Sequence, residues 1–211
     1  MGRSQILTLT RAASIVVVLG AIAAQVIELA GHGAFDPTRF FAYFTIQSNL
    51  IGVAAFALVL TSRRSPRSRA LESFRGAAAA YLTVTFLVVI ALLSNVDVGL
   101  QLLWVDFVLH KLFPVVVVLD FFLDPPTVHL SGRDVIAWTV YPLVWIGLTL
   151  VRGAAEGWYP YPFLNPVNGG YGTVAVTVVA VTIGFGLIAA ATIAIGNRGV
   201  DRTAGTADPG A

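Results

Sequence analysis

The chain has 211 residues, of which 57% are hydrophobic and 11% charged, with a net charge of +2 and no cysteine. About a quarter of the residues in soluble proteins are charged, so this composition excludes an ordinary soluble domain and predicts an integral membrane protein. The arginines lie in short segments between apolar runs, where they indicate topology and no nucleic-acid groove, and the lack of cysteine excludes a disulfide scaffold and a thiolate nucleophile.

Six apolar runs bounded by charge, Gly or Pro predict an all-α bundle of six transmembrane helices. A hydrocarbon core of about 30 Å needs about 20 helical residues, which each run approaches or exceeds. The first run also resembles a secretory signal, but its length favours a span. Residues 1–196 are expected to form one domain, and 197–211 a disordered cytoplasmic tail. The predicted spans are 10–31, 39–61, 74–95, 101–123, 134–152 and 171–196.

The distribution of arginine predicts the orientation of the bundle. Four arginines fall in the short polar segment 62–74, which the positive-inside rule assigns to the cytoplasm. Alternation of the spans then places both termini inside. The inner side would hold Arg3, Arg11, Arg63, Arg64, Arg67, Arg69, Arg75, Arg133, Arg198 and Arg202, against Arg39 and Arg152 outside.

The second span carries several polar residues close to its outer end. Thr45, Ser48 and Asn49 share one helix face through their i, i+3, i+4 spacing, whereas Gln47 points elsewhere. The simpler explanation for Thr45 is a structural one, in which its hydroxyl donates a hydrogen bond to a backbone carbonyl of its own helix. The alternative is a polar face that lines a site.

The fourth span contains Asp106, His110 and Lys111 in an otherwise apolar run. An ionisable side chain inside a bilayer costs about 2.5 to 3.5 kcal/mol on insertion scales, which favours a functional site over an idle residue. Asp106 and His110 are an i, i+4 pair, while Lys111 lies about 100° around the helix. Pro114 removes the hydrogen bond to the His110 carbonyl and is expected to kink the helix there.

Depth connects the two polar groups. Thr45 is about six residues inside its predicted span, roughly 9 Å, and His110 about nine residues inside its own, roughly 13 Å. Both would lie in the outer leaflet, where Glu28 at the outer end of the first span could line the same cavity. The long outer connection 153–170 is rich in aromatic residues and proline. It fits an interfacial belt or, alternatively, a lid of Tyr159, Tyr161 and Phe163.

These residue types suit nucleophilic catalysis. Thr45 would be the nucleophile, His110 the general base and Asp106 the group that orients the base, with Asn49 as an oxyanion donor. Ser48, Lys111 and Glu28 are further candidates for supporting roles. A purely structural His110–Asp106 hydrogen bond is the simpler alternative for that pair.

Two other functions are open at this point. Glu28 and His32 repeat the acid-then-histidine spacing of Asp106 and His110, so the two pairs could supply four metal ligands of a membrane metallohydrolase. However, His32 lies between two glycines, where the helix is expected to have ended. A transporter or proton relay would instead use Glu28, Asp106, His110 and Lys111.

Several short motifs occur in a characteristic order over roughly residues 40–165. They are YFTIQSN at 43–49, Arg75-Gly76, WVDFVLHKLFP at 104–114, Leu119-Asp120, Asp124-Pro125-Pro126, Tyr141-Pro142, Arg152-Gly153 and Tyr161-Pro162-Phe163-Leu164. In this order they resemble a bacterial member of the androgen-induced protein and androgen-dependent TFPI-regulating protein family. The family comprises six-helix membrane proteins, and its animal members are hydrolases.

The resemblance implies an intramembrane hydrolase of fatty acid esters of hydroxy fatty acids or related lipid esters. Matched by motif, the family's threonine and histidine fall on Thr45 and His110, whereas the roles of Asp106 and Asn49 rest on helix spacing alone. The expected location is the bacterial cytoplasmic membrane, with a lipid substrate and no metal or other cofactor. The substrate itself and the oligomeric state are not implied.

Overall fold

The computed structural model describes residues 2–62, 66–93 and 102–206, with side chains up to Asp201. Over these ranges the chain is helical and has no strand, so the expected all-α class is confirmed. The elements are α1 (Arg3–Gly31), α2 (Pro37–Phe40), α3 (Phe44–Thr61), α4 (Arg69–Val88) continued by the π turn Val89–Leu93, α5 (Leu103–Phe107), the π turn Val108–Leu112, α6 (Phe113–Leu123), α7 (Gly132–Glu156), 3₁₀ turns at Pro162–Leu164 and Pro166–Asn168, and α8 (Gly170–Thr206).

Five of the described helices are long and apolar enough to cross a membrane: α1, α3, α4 with its π turn, α7 and α8. The segment predicted as the fourth span is helical from Leu103 to Leu123 but is divided by the π turn. Residues 63–65 of the arginine-rich segment and 94–95 of the third predicted span lie outside the described residues. Large apolar side chains such as Ile136, Val151 and Val176 are exposed on the bundle surface, as contact with lipid requires.

The second predicted span begins later than expected. The Asp36 carboxylate accepts the Thr38 and Arg39 N–H groups and Pro37 occupies the first helical turn, which produces the short α2. The chain then breaks before Phe44, where α3 begins. Thr45 is therefore the second residue of its helix rather than six residues inside it.

The last helix continues past the predicted end of the domain. Disorder was expected from residue 197, yet α8 runs to Thr206. Asn197 exchanges two hydrogen bonds of 2.9 Å with the Leu130 backbone, and Asp201 pairs with His129 at 2.9 Å. These contacts tie the first part of the expected tail to the loop before α7, while residues 207–211 lie outside the described part of the chain.

α4 is the central helix and packs against α3, α6 and α8. Its run Ala77–Ala80 is buried, and small side chains of this kind let helices approach closely. Pro142 inside α7 cannot donate to the Trp138 carbonyl four residues earlier. The Tyr81 hydroxyl of α4 donates to that carbonyl at 2.8 Å, so the broken bond is replaced by one between helices.

A network of buried ion pairs joins α1, α4 and α6 at the end of the bundle remote from Thr45. Asp120 is only 4% exposed and lies between Arg11 at 2.8 Å and Arg75 at 3.3 Å. A buried carboxylate is stable only when paired, which explains why it is found between two guanidinium groups. The charge cluster comprises Arg11, Arg67, Glu72, Arg75, Asp120 and Asp124.

Candidate active site

Thr45, His110 and Asp106 form a continuous hydrogen-bonded chain. The Thr45 Oγ1 lies 3.2 Å from the His110 Nε2, and the His110 Nδ1 lies 2.7 Å from the Asp106 Oδ1. The His110 side chain is 2% exposed and that of Asp106 is 33% exposed. When the Nδ1 proton is donated to the carboxylate, Nε2 is free to accept the threonine hydroxyl. A hydroxyl, an imidazole and a carboxylate joined in this order can activate the hydroxyl as a nucleophile.

The π turn positions the histidine. Within it the Phe113 N–H donates to the Val108 carbonyl, five residues earlier. Pro114 has no N–H to donate. With the five-residue spacing of the π turn, the carbonyl that loses its helical donor is that of Leu109, whereas α-helical spacing predicted the carbonyl of His110. The Asn49 amide donates to the Leu109 carbonyl at 3.1 Å, and this bond joins α3 to the turn that carries the histidine.

Asn49 does not have the role that helix spacing suggested. Its two amide hydrogens go to the backbone carbonyls of Thr45 at 2.7 Å and Leu109 at 3.1 Å, so no donor remains for an oxyanion. Ser48 likewise donates to the Thr45 carbonyl at 3.1 Å and contacts Thr85 at 3.0 Å. Both residues hold the first turn of α3 in place instead of facing a substrate.

Tyr161 lies inside the site, although the sequence suggested an interfacial belt or a lid for this connection. Its hydroxyl is 3.3 Å from the Thr45 Oγ1 and accepts the Thr45 backbone N–H at 3.2 Å. The side chain is buried and stacks against Phe163, with ring centroids 5.3 Å apart. Burial raises the pKa of Tyr161 to about 12, so the phenol is neutral and can donate a hydrogen bond at physiological pH.

The remaining ionisable candidates lie away from the hydrogen bonds that join Thr45, His110 and Asp106. Lys111 is exposed on the outer surface of its helix. Glu28 pairs with the exposed His32 at 3.5 Å and does not join Asp106 and His110. Within the described residues no group of three or more His, Asp or Glu side chains could hold a metal ion, so the four-ligand set considered from the sequence is not assembled.

A polar cavity of about 240 Å³ opens beside the site, and Thr45 and His110 are among the residues that line it. The Trp158 ring forms part of its wall and lies between two guanidinium groups, 5.4 Å from Arg39 and 5.5 Å from Arg152. Tyr159, expected in the lid, instead packs against Gly153, where any Cβ would clash with its ring. Trp158 and Tyr161 are therefore the aromatic residues of this connection that line the polar cavity.

Comparisons with models of protein families, with curated proteins and with solved structures give no match to this chain. The function is therefore inferred from the geometry of the site itself. Sequence reasoning missed the contact of Tyr161 with Thr45, which lies 116 positions earlier in the chain. The Tyr-Pro-Phe-Leu motif singled out this segment, but no local pattern indicates that its tyrosine turns inward.

Proposed function

We propose that the protein is an intramembrane lipid esterase with a threonine nucleophile, related to the androgen-induced protein family. The single observation that carries the proposal is the hydrogen-bonded chain from the Thr45 hydroxyl through His110 to Asp106. A threonine with a purely structural role would donate its hydroxyl hydrogen to a carbonyl of its own helix. The Thr45 hydroxyl instead lies within hydrogen-bond distance of a buried imidazole. The spacing of these atoms is that required of a nucleophile, its base and the group that orients the base.

The proposed reaction proceeds in two halves. The His110 Nε2 removes the Thr45 proton as Oγ1 attacks the ester carbonyl, and the Asp106 carboxylate stabilises the imidazolium that forms. The imidazolium then protonates the alcohol oxygen as its bond to the acyl carbon breaks. Water, activated by the same imidazole, hydrolyses the acyl-threonine and releases a carboxylic acid.

Tyr161 is proposed to stabilise the negative charge that develops on the ester carbonyl oxygen. Without substrate the hydroxyl accepts the Thr45 backbone N–H at 3.2 Å, and both groups would donate to the substrate oxygen once that oxygen displaces this bond. The N–H belongs to the first turn of α3, where backbone donors have no helical partner and the helix dipole favours an anion. This pair replaces Asn49 as the source of oxyanion donors.

For the membrane arrangement, we propose that the helical segment Leu103–Leu123 is a sixth span and that both termini face the cytoplasm. Arg67, Arg69 and Arg75 lie at the end of α4 remote from the site, whereas Arg39 and Arg152 flank the polar cavity and its Trp158 wall. The positive-inside rule then places Thr45 in the outer leaflet of a bacterial cytoplasmic membrane. A lipid ester fits this depth, because its carbonyl lies near the interface.

The two alternatives have less support from the geometry. A relay built on Glu28, Asp106, His110 and Lys111 would need contacts that neither Glu28 nor Lys111 makes with the other two. Loss of ester turnover on addition of a chelator, with no covalent labelling of the wild type, would favour a metallohydrolase. Substrate-dependent proton or ion flux in liposomes without ester turnover would favour transport.

The proposal is tested by labelling purified protein with a fluorophosphonate probe, which reacts with activated hydroxyl nucleophiles. We expect labelling of the wild type and of Thr192→Ala, and none of Thr45→Ala or His110→Ala. Thr192 is a suitable control because its hydroxyl is bonded back to the Ile188 carbonyl at 2.8 Å and it lies outside the cavities beside Thr45. Labelling that survives Thr45→Ala would remove Thr45 as the nucleophile.

A further inference from the structure

An apolar cavity of about 60 Å³ lies on the other side of Thr45 from the polar one. Helices α3, α4, α7 and α8 and the segment 161–164 surround it. Thr45 and Tyr161 line both cavities, whereas His110 lines only the polar cavity. The proposed nucleophile and oxyanion donor therefore form the boundary between an apolar and a polar space.

The part of the chain that the structure describes presents no free polar group to the apolar cavity except those of the site. Four further threonines line it, and each hydroxyl donates to a carbonyl of its own helix at 2.7 to 3.0 Å. Such hydroxyls are already satisfied and offer no donor to a ligand. They are Thr85, Thr139, Thr177 and Thr182. The rest of the lining is largely aliphatic and aromatic, which suits a hydrocarbon occupant.

A second apolar cavity, of about 390 Å³, lies on the far side of the contact between α4 and α8. The two apolar cavities share one wall, formed by Val84, Val88, Thr177, Val181 and Phe185. The outer cavity is also lined by Leu87, Leu92 and Val176, which are exposed on the lipid-facing surface of the bundle. Among the described residues, this row of side chains separates the bilayer from the space that reaches Thr45.

The position of His110 decides which half of an ester occupies which cavity. In the proposed reaction the imidazolium gives its proton to the alcohol oxygen as the bond between that oxygen and the acyl carbon breaks. The alcohol half must therefore leave on the His110 side, which is the polar cavity. The acyl chain extends from the carbonyl carbon in the other direction, into the apolar cavity.

We propose that the fatty acyl chain of the substrate enters laterally from the bilayer between α4 and α8, with its first carbons in the small apolar cavity beside Thr45 and the rest of the chain in the outer apolar cavity. The alcohol half occupies the polar cavity beneath Trp158. This inference rests on the proposed esterase function and assigns the acyl subsite and its entrance. The α4–α8 seam then determines the length of acyl chain that the enzyme accepts.

The test compares Val181→Trp, which fills the shared wall, with Val179→Trp on the same helix, where the native side chain is 57% exposed to lipid. We would measure kcat/KM for p-nitrophenyl acetate and p-nitrophenyl palmitate. Val181→Trp is expected to lower the palmitate value by about tenfold or more, since even one misplaced methylene in an apolar pocket costs about tenfold. The ratio of the palmitate value to the acetate value should therefore fall in Val181→Trp, whereas both Val179→Trp values should stay within about twofold of wild type.

Failure of this inference differs from failure of the esterase proposal. Thr45-dependent hydrolysis of acetate with an unchanged preference for chain length in Val181→Trp would overturn the acyl subsite and leave the esterase intact. If Val181→Trp does not fold, wild-type protein can be photolabelled with palmitic acid bearing a terminal diazirine. Crosslinks in the peptides of α4 and α8 are expected, and crosslinks confined to residues 34–43 and Trp158 would contradict the assignment.

Discussion

The buried polar groups at the two ends of this bundle differ in the number of charges they contain and in whether they border a cavity. At one end, the charge cluster pairs three arginines with three acids, and its arginines reach more than one carboxylate each. At the other end, the threonine site of Thr45, His110, Asp106 and Tyr161 contains one carboxylate and no arginine or lysine. The site borders two cavities, where its hydroxyls can meet a ligand.

This difference distinguishes polar residues that hold the helices together from polar residues that can act on a ligand. Charges removed from water must be compensated by partners, and a cluster in which every charge is paired has no capacity left for a substrate. A relay with one partly exposed carboxylate beside a cavity keeps reactive atoms accessible, and the imidazolium formed by proton transfer lies beside that carboxylate and is not left as a lone buried charge. Mutations at the threonine site should therefore change turnover, and mutations in the charge cluster should change stability.

The largest effect is expected from Asp106→Asn. An asparagine keeps the shape of the side chain but does not hold the imidazole in the tautomer that accepts the Thr45 proton. Replacement of the orienting carboxylate in a Ser-His-Asp triad lowers kcat about 10⁴-fold, and we expect a loss of this order with p-nitrophenyl esters. The control is Asp201→Asn, which disrupts the exposed pair with His129 and should leave kcat unchanged. Equal activity of both variants would contradict the relay.

The next largest effect is on stability and is expected from Asp120→Ala. Removing this carboxylate leaves the buried Arg11 and Arg75 short of a partner, which should lower the free energy of unfolding by about 3 to 5 kcal/mol. Unfolding in mixed micelles would be compared with that of Glu156→Ala, which removes an exposed ion pair with Arg152 worth about 1 kcal/mol or less. A stability equal to that of the control would show that the charge cluster does not hold the helices together.

Tyr161→Phe is expected to lower kcat about 10²- to 10³-fold, because it removes one donor to the developing oxyanion. Both side chains bury a ring of the same size, so folding should be preserved. Tyr159→Phe is the matched control, since Tyr159 lies outside both cavities and should tolerate the change. A normal kcat in Tyr161→Phe would restrict this residue to a packing role.

The smallest effect is the acid dependence of the charge cluster. Burial by itself would raise the pKa of Asp124, but the Arg75 charge and hydrogen bonds from Arg11 and Arg67 outweigh it and hold the pKa below its usual range. A lowered folded-state pKa stabilises the protein above the unfolded value of about 3.9, and this contribution is lost as the pH falls through the folded value. Unfolding measured between about pH 6 and pH 3 should show a shallower loss of stability in Asp124→Asn than in wild type. Identical profiles would remove Asp124 as a contributor.

Much of the fold and half of the site could be predicted from local sequence. Hydropathy and run length identify the long helices, because burial in lipid acts on each segment independently. The i, i+4 spacing of Asp106 and His110 predicts their contact for the same local reason. The expectation that Thr45 and His110 would lie at the same level agrees with their 3.2 Å separation, although α3 begins five residues later than predicted.

The remaining features depend on which segments pack together. Asp120 becomes a buried ion-pair partner only because α1 and α4 bring Arg11 and Arg75 to it. Asn49 has no amide hydrogen left for an oxyanion because Pro114 and the π turn leave the Leu109 carbonyl in need of a donor. Sequence alone therefore determined the helices and the residue types able to do chemistry, through hydrophobicity and local spacing. Tertiary structure decided their partners, since hydrogen bonds and ion pairs between distant segments form only where packing aligns donor with acceptor.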